Sequence, residues 1–335
     1  MNIVMSYIDY NMAGLSEREI YSCTKTQTTE IYGRLKEKPE ILGCVLIATC
    51  NRTELYLSLK EGTKVNPFKQ LCEAIDINYT DYAFMNKTLV GKDAMIHLCK
   101  VAAGAESQIW GDGQIVTQVD AAIKGAQKAK SSDAVLNVLF RIGVTAGKKI
   151  KTLVDFKVND NSTASRAVSV IKDHPNIKHV LVIGNGMIGR LVAGLLVRNG
   201  MQTTMTLRQY RHGENIVPKG ADTVNYGDRY AVIEKSDAVI SATLSPHYTV
   251  SYEQVKELSR VPGVFIDLAV PRDIDPEVEK IDRVTYYDID HISQGERDAR
   301  QEKQMKEIER IIEKYITDFY KWYDYREKLK LKEEA

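Results

Sequence analysis

The stretch HVLVIGNGMIGRLVAGLLVRNG, residues 179–200, constrains the fold more than any other part of the chain. Gly184, Gly186 and Gly189 stand in G-x-G-x-x-G spacing, after an apolar run and at the start of a helix-period segment, with a second apolar run, TTMTL, beyond. In that context the first glycine makes the tight turn and the second lets the backbone approach a pyrophosphate. The third lets the helix lie close to the strand, and the helix N-terminus faces the phosphate charge. Gly184, Asn185, Gly186, Met187, Ile188 and Gly189 are therefore the cofactor-binding candidates. The runs HVLVIG, TTMTL, AVISAT, VFIDLAV and VTYYDI are near-continuously apolar, as strands of a parallel sheet covered on both faces should be. NAD-using domains usually place Asp or Glu about 20 residues after the glycines to hold the ribose hydroxyl. Here TMTLRQYRHG carries Arg208 and Arg211 instead. A guanidinium matches a ribose phosphate as a bidentate cation, so the predicted cofactor is NADPH. A plain surface role suits Arg211 better than Arg208.

The remainder divides by pattern. Residues 1–157 mix strands such as NIVMSYI and GCVLIAT with helical stretches around 16–36, 91–103 and 114–155. This reads as an α+β catalytic and substrate-binding domain. Residues 158–290 read as the Rossmann-type domain. From 291 to 335 the apolar residues Met305, Ile308, Ile311, Ile312, Tyr315, Phe319 and Trp322 recur at threes and fours, which predicts one long amphipathic helix. That helix either pairs with its counterpart in a homodimer through the Ile308–Trp322 stripe or folds back over its own chain. The fold class is thus α/β multidomain. With 335 residues, 44% hydrophobic and 27% charged, the chain has room for such domains.

No stretch approaches the roughly 20 apolar residues a membrane span needs, and MNIVMSYIDY lacks a basic region ahead of an apolar core. The expectation is a cytoplasmic protein with no membrane partner. The five cysteines, at 23, 44, 50, 72 and 99, form no C-x-x-C pair, so free thiols are expected and a metal site is not. A net charge of +1 neither advertises nor excludes RNA, which needs a local basic face rather than a basic total. KGAQKAK at 124–130, KKIK at 148–151 and the terminal KLKLK are candidates for such a face and equally for solvated helix surface.

Cys50 separates from the other thiols. Cys44 lies inside an apolar run and Cys72 and Cys99 on helical faces, positions that suit cysteine as a small buried hydrophobe. Cys50 closes a strand within IATCNRTELY and is followed by Asn51 and Arg52. A nicotinamide and a cysteine together suggest a thiolate that holds an acyl group while hydride is delivered. Arg52 either favours that thiolate or binds a substrate carboxylate.

IATCNRTELY resembles the cysteine motif of the glutamyl-tRNA reductases. HLCKVAAGAESQIWGDGQIVTQV, GVFIDLAVPRDIDPEV and YYDIDHI resemble that family too, in the same order and at similar separations. The resemblance spans roughly residues 1–300. It implies an N-terminal catalytic domain, an NADPH domain and a long spinal helix leading to a dimerisation domain, with residues 291–335 expected as a truncated form of that region in a C-terminally shortened member. It implies further that Cys50 takes the glutamyl group from tRNA as a thioester. Thr49, Asn51 and Arg52 would flank the substrate, while Ser107, Asp112, Gly113, Gln114 and Gln118 would contact glutamate and the tRNA end. His97 would stand near the chemistry. The implied product is glutamate-1-semialdehyde, the first committed intermediate of porphyrin biosynthesis, and a glutamate-1-semialdehyde aminotransferase is the implied partner. The chain departs from the family at Tyr10–Ala13, where a His-Lys-Thr-Ala stretch is usual. It departs again at Asp112 and Gly113, in place of Glu-Pro, and at Trp110, where a small aliphatic is typical. These departures leave open a paralogue reducing another aminoacyl-tRNA or carrier-bound acyl group. A non-catalytic regulator of tetrapyrrole synthesis is the remaining alternative.

Overall fold

A computed structural model describes residues 2–156, 162–207, 216–293 and 299–333. They form two compact units, one from 2–156 with 299–333 and the other from 162–293.

The first unit is built on an antiparallel sheet of order β2-β3-β1-β4: β1 Ile3–Asp9, β2 Ile41–Ala48, β3 Arg52–Leu59 and β4 Lys87–Val90. All of β3 is buried, because it is central and carries packing on both faces. β2 and β3 make a hairpin whose turn is Thr49–Asn51. Asp9 at the end of β1 lies opposite Arg52 at the start of β3, so the turn and these two charged residues meet at one end of the sheet. Helices Lys92–Ala103, Ile115–Lys128 and Ala134–Leu153 complete the layer behind it. Asp133 caps the last of these through a bond from the Leu136 N–H, as an N-cap carboxylate should.

The helix Ala299–Glu333 packs against this unit. Ile308, Ile312, Ile316 and Phe319 are buried in the same core as the sheet, each removal from water contributing about 1.5–3 kcal/mol. Lys100–Glu309 at 2.6 Å and Lys92–Glu313 at 3.0 Å fasten its flank to helix Lys92–Ala103. The fold-back reading therefore describes this helix. The Ile308–Phe319 part of the stripe, the other reading's pairing face, is covered by its own chain because periodicity reveals an apolar face and not what will cover it.

The second unit is a six-stranded parallel sheet: β5 His179–Ile183, β6 Gln202–Leu207, β7 Asp222–Asn225, β8 Ala238–Ser241, β9 Val264–Asp267 and β10 Thr285–Tyr287. The order β10-β9-β8-β5-β6-β7 is that of a doubly wound dinucleotide fold, reversing between β5 and β8, where such sheets open a ligand crevice at their carboxyl ends. The five apolar runs expected as strands are β5, β6, β8, β9 and β10. β7, an exposed edge strand reading DTVN, has no apolar pattern to announce it.

Candidate active site

Cys50 sits at the tip of the β2–β3 turn, half-buried. Thr49 shapes that turn. Its Oγ1 accepts from the Asn51 and Arg52 N–H groups, both at 3.3 Å, while its own N–H donates to the Arg52 carbonyl at 2.9 Å. A threonine in this geometry supplies a local alternative to the strand ladder. The Asn51 carbonyl accepts from the Tyr10 N–H at 3.1 Å, tying the turn to the end of β1. Burial pushes the other thiols up, Cys23 and Cys72 to about 11 and Cys44 and Cys99 to about 12. None of those four is suited to thiolate chemistry at neutral pH.

Arg52 does not project with Cys50. Its side chain is buried, with Nη1 donating to Glu54 at 2.8 Å and Nη2 donating to the Glu106 carbonyl. Glu54, at zero exposure, accepts from three sides: Arg52 and His97 Nε2 (3.0 Å) on Oε1, and the Tyr56 hydroxyl (2.8 Å) on Oε2. Burial alone would raise the Glu54 carboxyl; His97 and Arg52 outweigh it and hold the group down at about 2. An ionised carboxylate only accepts, so the His97 nitrogen facing it carries the hydrogen, and the other ring nitrogen is the basic one. The His97 ring also stacks on Tyr7 with centroids 4.3 Å apart. Glu54 was not among the residues expected from sequence. Its signal was available, since Arg52 and Glu54 at i and i+2 of a strand share one face.

A second cation approaches the thiol turn. Arg18, buried on helix Leu15–Ile20, directs Nη1 toward the Cys50 carbonyl at 3.4 Å and Asn51 Oδ1 at 3.5 Å. Nothing in the sequence pattern around Arg18 pointed to it.

Of the predicted substrate residues, Ser107, Asp112, Gly113 and Gln114 lie on the connection between helices Lys92–Ala103 and Ile115–Lys128, and Gln118 lies in the first turn of the latter. Ser107 is buried; Asp112, Gln114 and Gln118 are half-buried and Gly113 is exposed. Asp112 accepts from the Gln114 N–H at 2.9 Å, and Lys151 donates to the Asp112 carbonyl at 2.6 Å. Burial raises the Asp112 carboxyl against the opposing pull of that N–H and of Lys151. Because Arg52 binds the Glu106 carbonyl, this loop and the Cys50 turn share one anchor. Of the basic runs, Lys148 and Lys149 are exposed whereas Lys151 is turned into this loop.

In the second unit Gly184 has φ +112°, and a Cβ there would lie 2.6 Å from the Ala242 carbonyl oxygen. A Cβ on Gly189 would lie 2.0 Å from the Gly184 oxygen, so both positions admit only glycine. Gly186 precedes helix Met187–Arg198 with space beside it, its nearest neighbour being the same Ala242 oxygen at 4.0 Å. Asn185 Oδ1 is buried without a hydrogen-bond partner beside this cradle, and Met187 and Ile188 form the helix's first turn. These residues fit a dinucleotide pyrophosphate. Arg208 and Arg211 lie outside the described residues. Among the described residues, no helix is long and apolar enough to cross a membrane.

A unit with a half-buried cysteine at a strand turn, joined to a dehydrogenase-type nucleotide unit, has the make-up of a nicotinamide-dependent reductase. Residues 7–154 match the family model of the glutamyl-tRNA(Glu) reductase N-terminal domain, and 165–294 match that of shikimate/quinate 5-dehydrogenase. The glutamyl-tRNA reductase of Acetivibrio thermocellus is 48% identical over 99% of this chain and 100% of its own length. That of Alkaliphilus oremlandii is 45% identical over 98% and 99% respectively. Among solved structures, glutamyl-tRNA reductase from Methanopyrus kandleri superposes with a TM-score of 0.52 at 25% identity, covering 98% of this chain and 82% of that one. The chain belongs to the glutamyl-tRNA reductase family.

Proposed function

We propose that this protein reduces glutamyl-tRNA to glutamate-1-semialdehyde with NADPH through a thioester on Cys50, the first step of tetrapyrrole synthesis. The observation that carries the reading is the half-buried Cys50 at the Thr49-bonded turn of the β2–β3 hairpin, in a chain similar over its whole length to glutamyl-tRNA reductases.

In this reading the Cys50 sulfur attacks the carbonyl carbon of the aminoacyl ester. A carbon–sulfur bond forms, the ester carbon–oxygen bond breaks, and the tRNA ribose leaves as the alcohol with the proton the thiol gave up. A nicotinamide held by the Gly184–Gly189 turn would, when bound, supply the hydride that reduces the thioester carbon. The carbon–sulfur bond then breaks with its electron pair on sulfur, the aldehyde departs, and the thiolate takes one proton from solvent to restore the thiol. An aminoacyl ester is already activated, so the site needs a positioned nucleophile and a modest proton acceptor rather than a strong base. His97, oriented by Glu54, supplies that acceptor, and Arg18 favours negative charge at the turn. Arg52 acts from behind, locking Glu54 and the Glu106 carbonyl. NADPH in preference to NADH is supported by Arg208, Arg211 and the absence of an acid after β6 in the sequence.

Cytoplasmic residence fits the free thiols. A homodimer through the C-terminal helix would use its outer surface, where Tyr325 and Leu329 are exposed. Direct transfer of the reactive aldehyde to an aminotransferase is the expected partnership. Turnover of glutamyl-tRNA that disappears in Cys50→Ser is the expected result. Equal rates on glycyl- and glutamyl-tRNA would favour the broader acyl-reductase reading instead.

A further inference from the structure

Besides the Lys151 bond to the Asp112 carbonyl, the loop that carries Ser107, Asp112, Gly113 and Gln114 is held at two places by residues far apart in sequence. At one end the Glu106 carbonyl accepts from Arg52, next to the Cys50 turn. At the other, buried Trp110 donates its Nε1–H to Gln304 Oε1 at 2.9 Å, and Gln304 Nε2 donates to the Asp155 carbonyl. One amide thus satisfies a ring N–H and a backbone carbonyl together, which fixes which end is oxygen. The Trp110 ring lies 5.9 Å from that of Phe156, and a Cβ on Gly111 would strike the same phenyl ring. The loop is therefore closed against both Phe156 and the helix Ala299–Glu333. An apolar residue at 304 would leave the indole N–H and the Asp155 carbonyl without these bonds.

We infer that Gln304 is a positioning residue for the acyl-tRNA site: through Trp110 it sets the far end of the substrate loop, as Arg52 sets the near end. The inference rests on the proposed reductase reading for the substrate it concerns, and not for the latch itself. It makes the C-terminal helix part of the substrate site rather than only a brace.

The test uses Gln304→Leu, Trp110→Phe and the double variant in the full chain. Trp110→Phe keeps a ring against Phe156 and removes only the N–H donor and the second ring. A hydrogen bond of this kind is worth about threefold to tenfold in an equilibrium. KM for glutamyl-tRNA should rise about threefold to tenfold in each single variant, with kcat and KM for NADPH within about twofold of the parent. The double variant should be no worse than either single one, because the two side chains act through one bond. Amide hydrogen exchange should quicken at Gly111 and Gln114, whose N–H groups bond to the Gly104 carbonyl and the Asp112 side chain. Additive effects of the two substitutions, a loss of thermal stability with KM unmoved, or unchanged exchange at Gly111 and Gln114 would each overturn the proposal. If the parent fails to turn over glutamyl-tRNA, the functional reading falls, and the exchange rates still decide the latch.

Discussion

Glu54 and Asp267 are both carboxyl groups with no exposed surface, one in each unit, and their surroundings push them in opposite directions. Glu54 faces hydrogen-bond donors: His97 and Arg52 overcome its burial and hold it at about 2. Asp267, at the end of β9, faces another acid. Burial and then Asp273 push it well above the usual carboxylate range, against the pull of the Ala269, Asp273 and Ile274 N–H groups. Asp273 in turn accepts from Ser241, from the Thr243 N–H and from the Thr243 hydroxyl, at 2.6–2.7 Å. It thereby pins the chain after β8, whose Ala242 carbonyl faces Gly184 and Gly186. The difference teaches what each unit uses a buried acid for. In the thiol unit a permanent charge orients a histidine. In the nucleotide unit a carboxyl stitches strand ends into the floor of the cofactor cleft.

Glu54→Gln should break this comparison most severely. Removing the acid of this buried pair leaves Arg52 without its counter-charge and His97 without its ionised acceptor, at a cost of about 3–5 kcal/mol. Urea unfolding monitored in the thiol unit measures it. The pH dependence has a defined sign. Depression of Glu54 from 4.5 to about 2 stabilises the fold above pH 4.5 by an amount on the order of 3 kcal/mol. That contribution declines as pH falls from 4.5 toward 2. The variant should lack this acid limb, and an unchanged limb would contradict the assignment.

Asp267→Asn sharpens the contrast with a smaller effect. The amide keeps one acceptor but turns N–H donors toward backbone donors, costing about 1–3 kcal/mol near pH 5. Because the folded Asp267 carboxyl is raised above its ordinary value of 3.8, the wild-type group loses stability as pH rises above about 4. The gap between wild type and variant should therefore narrow from pH 5 to pH 8, opposite in sign to the Glu54 limb. A gap that widened over that range would count against the account.

Glu309→Gln supplies the mildest contrast. Its partner Lys100 is mostly covered, but Glu309 is half-exposed, so the pair is worth no more than about 0.5–1 kcal/mol. The urea midpoint should shift slightly at low salt, and the shift should fade as salt is added.

The nucleotide unit was the more legible from sequence, because its parallel strands are apolar runs and its glycines have fixed steric jobs. Only the polar edge strand β7 escaped. In the thiol unit, Cys50 stood out from the other cysteines by closing a strand and His97 was named only through the family resemblance, while Arg52 was expected at the substrate and is instead turned toward Glu54. Glu54 itself sits in TELYLSL, where alternation suggests an outward face. The whole strand is buried because the Glu54 face is covered as well: Glu54 meets His97 of helix Lys92–Ala103, and the Tyr56 ring packs on Phe140 of helix Ala134–Leu153 at 5.1 Å. Arg18 and Gln304 reach the site from 32 and 194 residues away from the groups they touch, and no local pattern encodes such partners.

The most direct test of the central claim is the intact mass of the protein after mixing with glutamyl-tRNA in the absence of NADPH. The account predicts a glutamyl adduct on Cys50 that disappears when NADPH is added. No adduct, from tRNA demonstrated to be charged, would contradict Cys50 as the nucleophile.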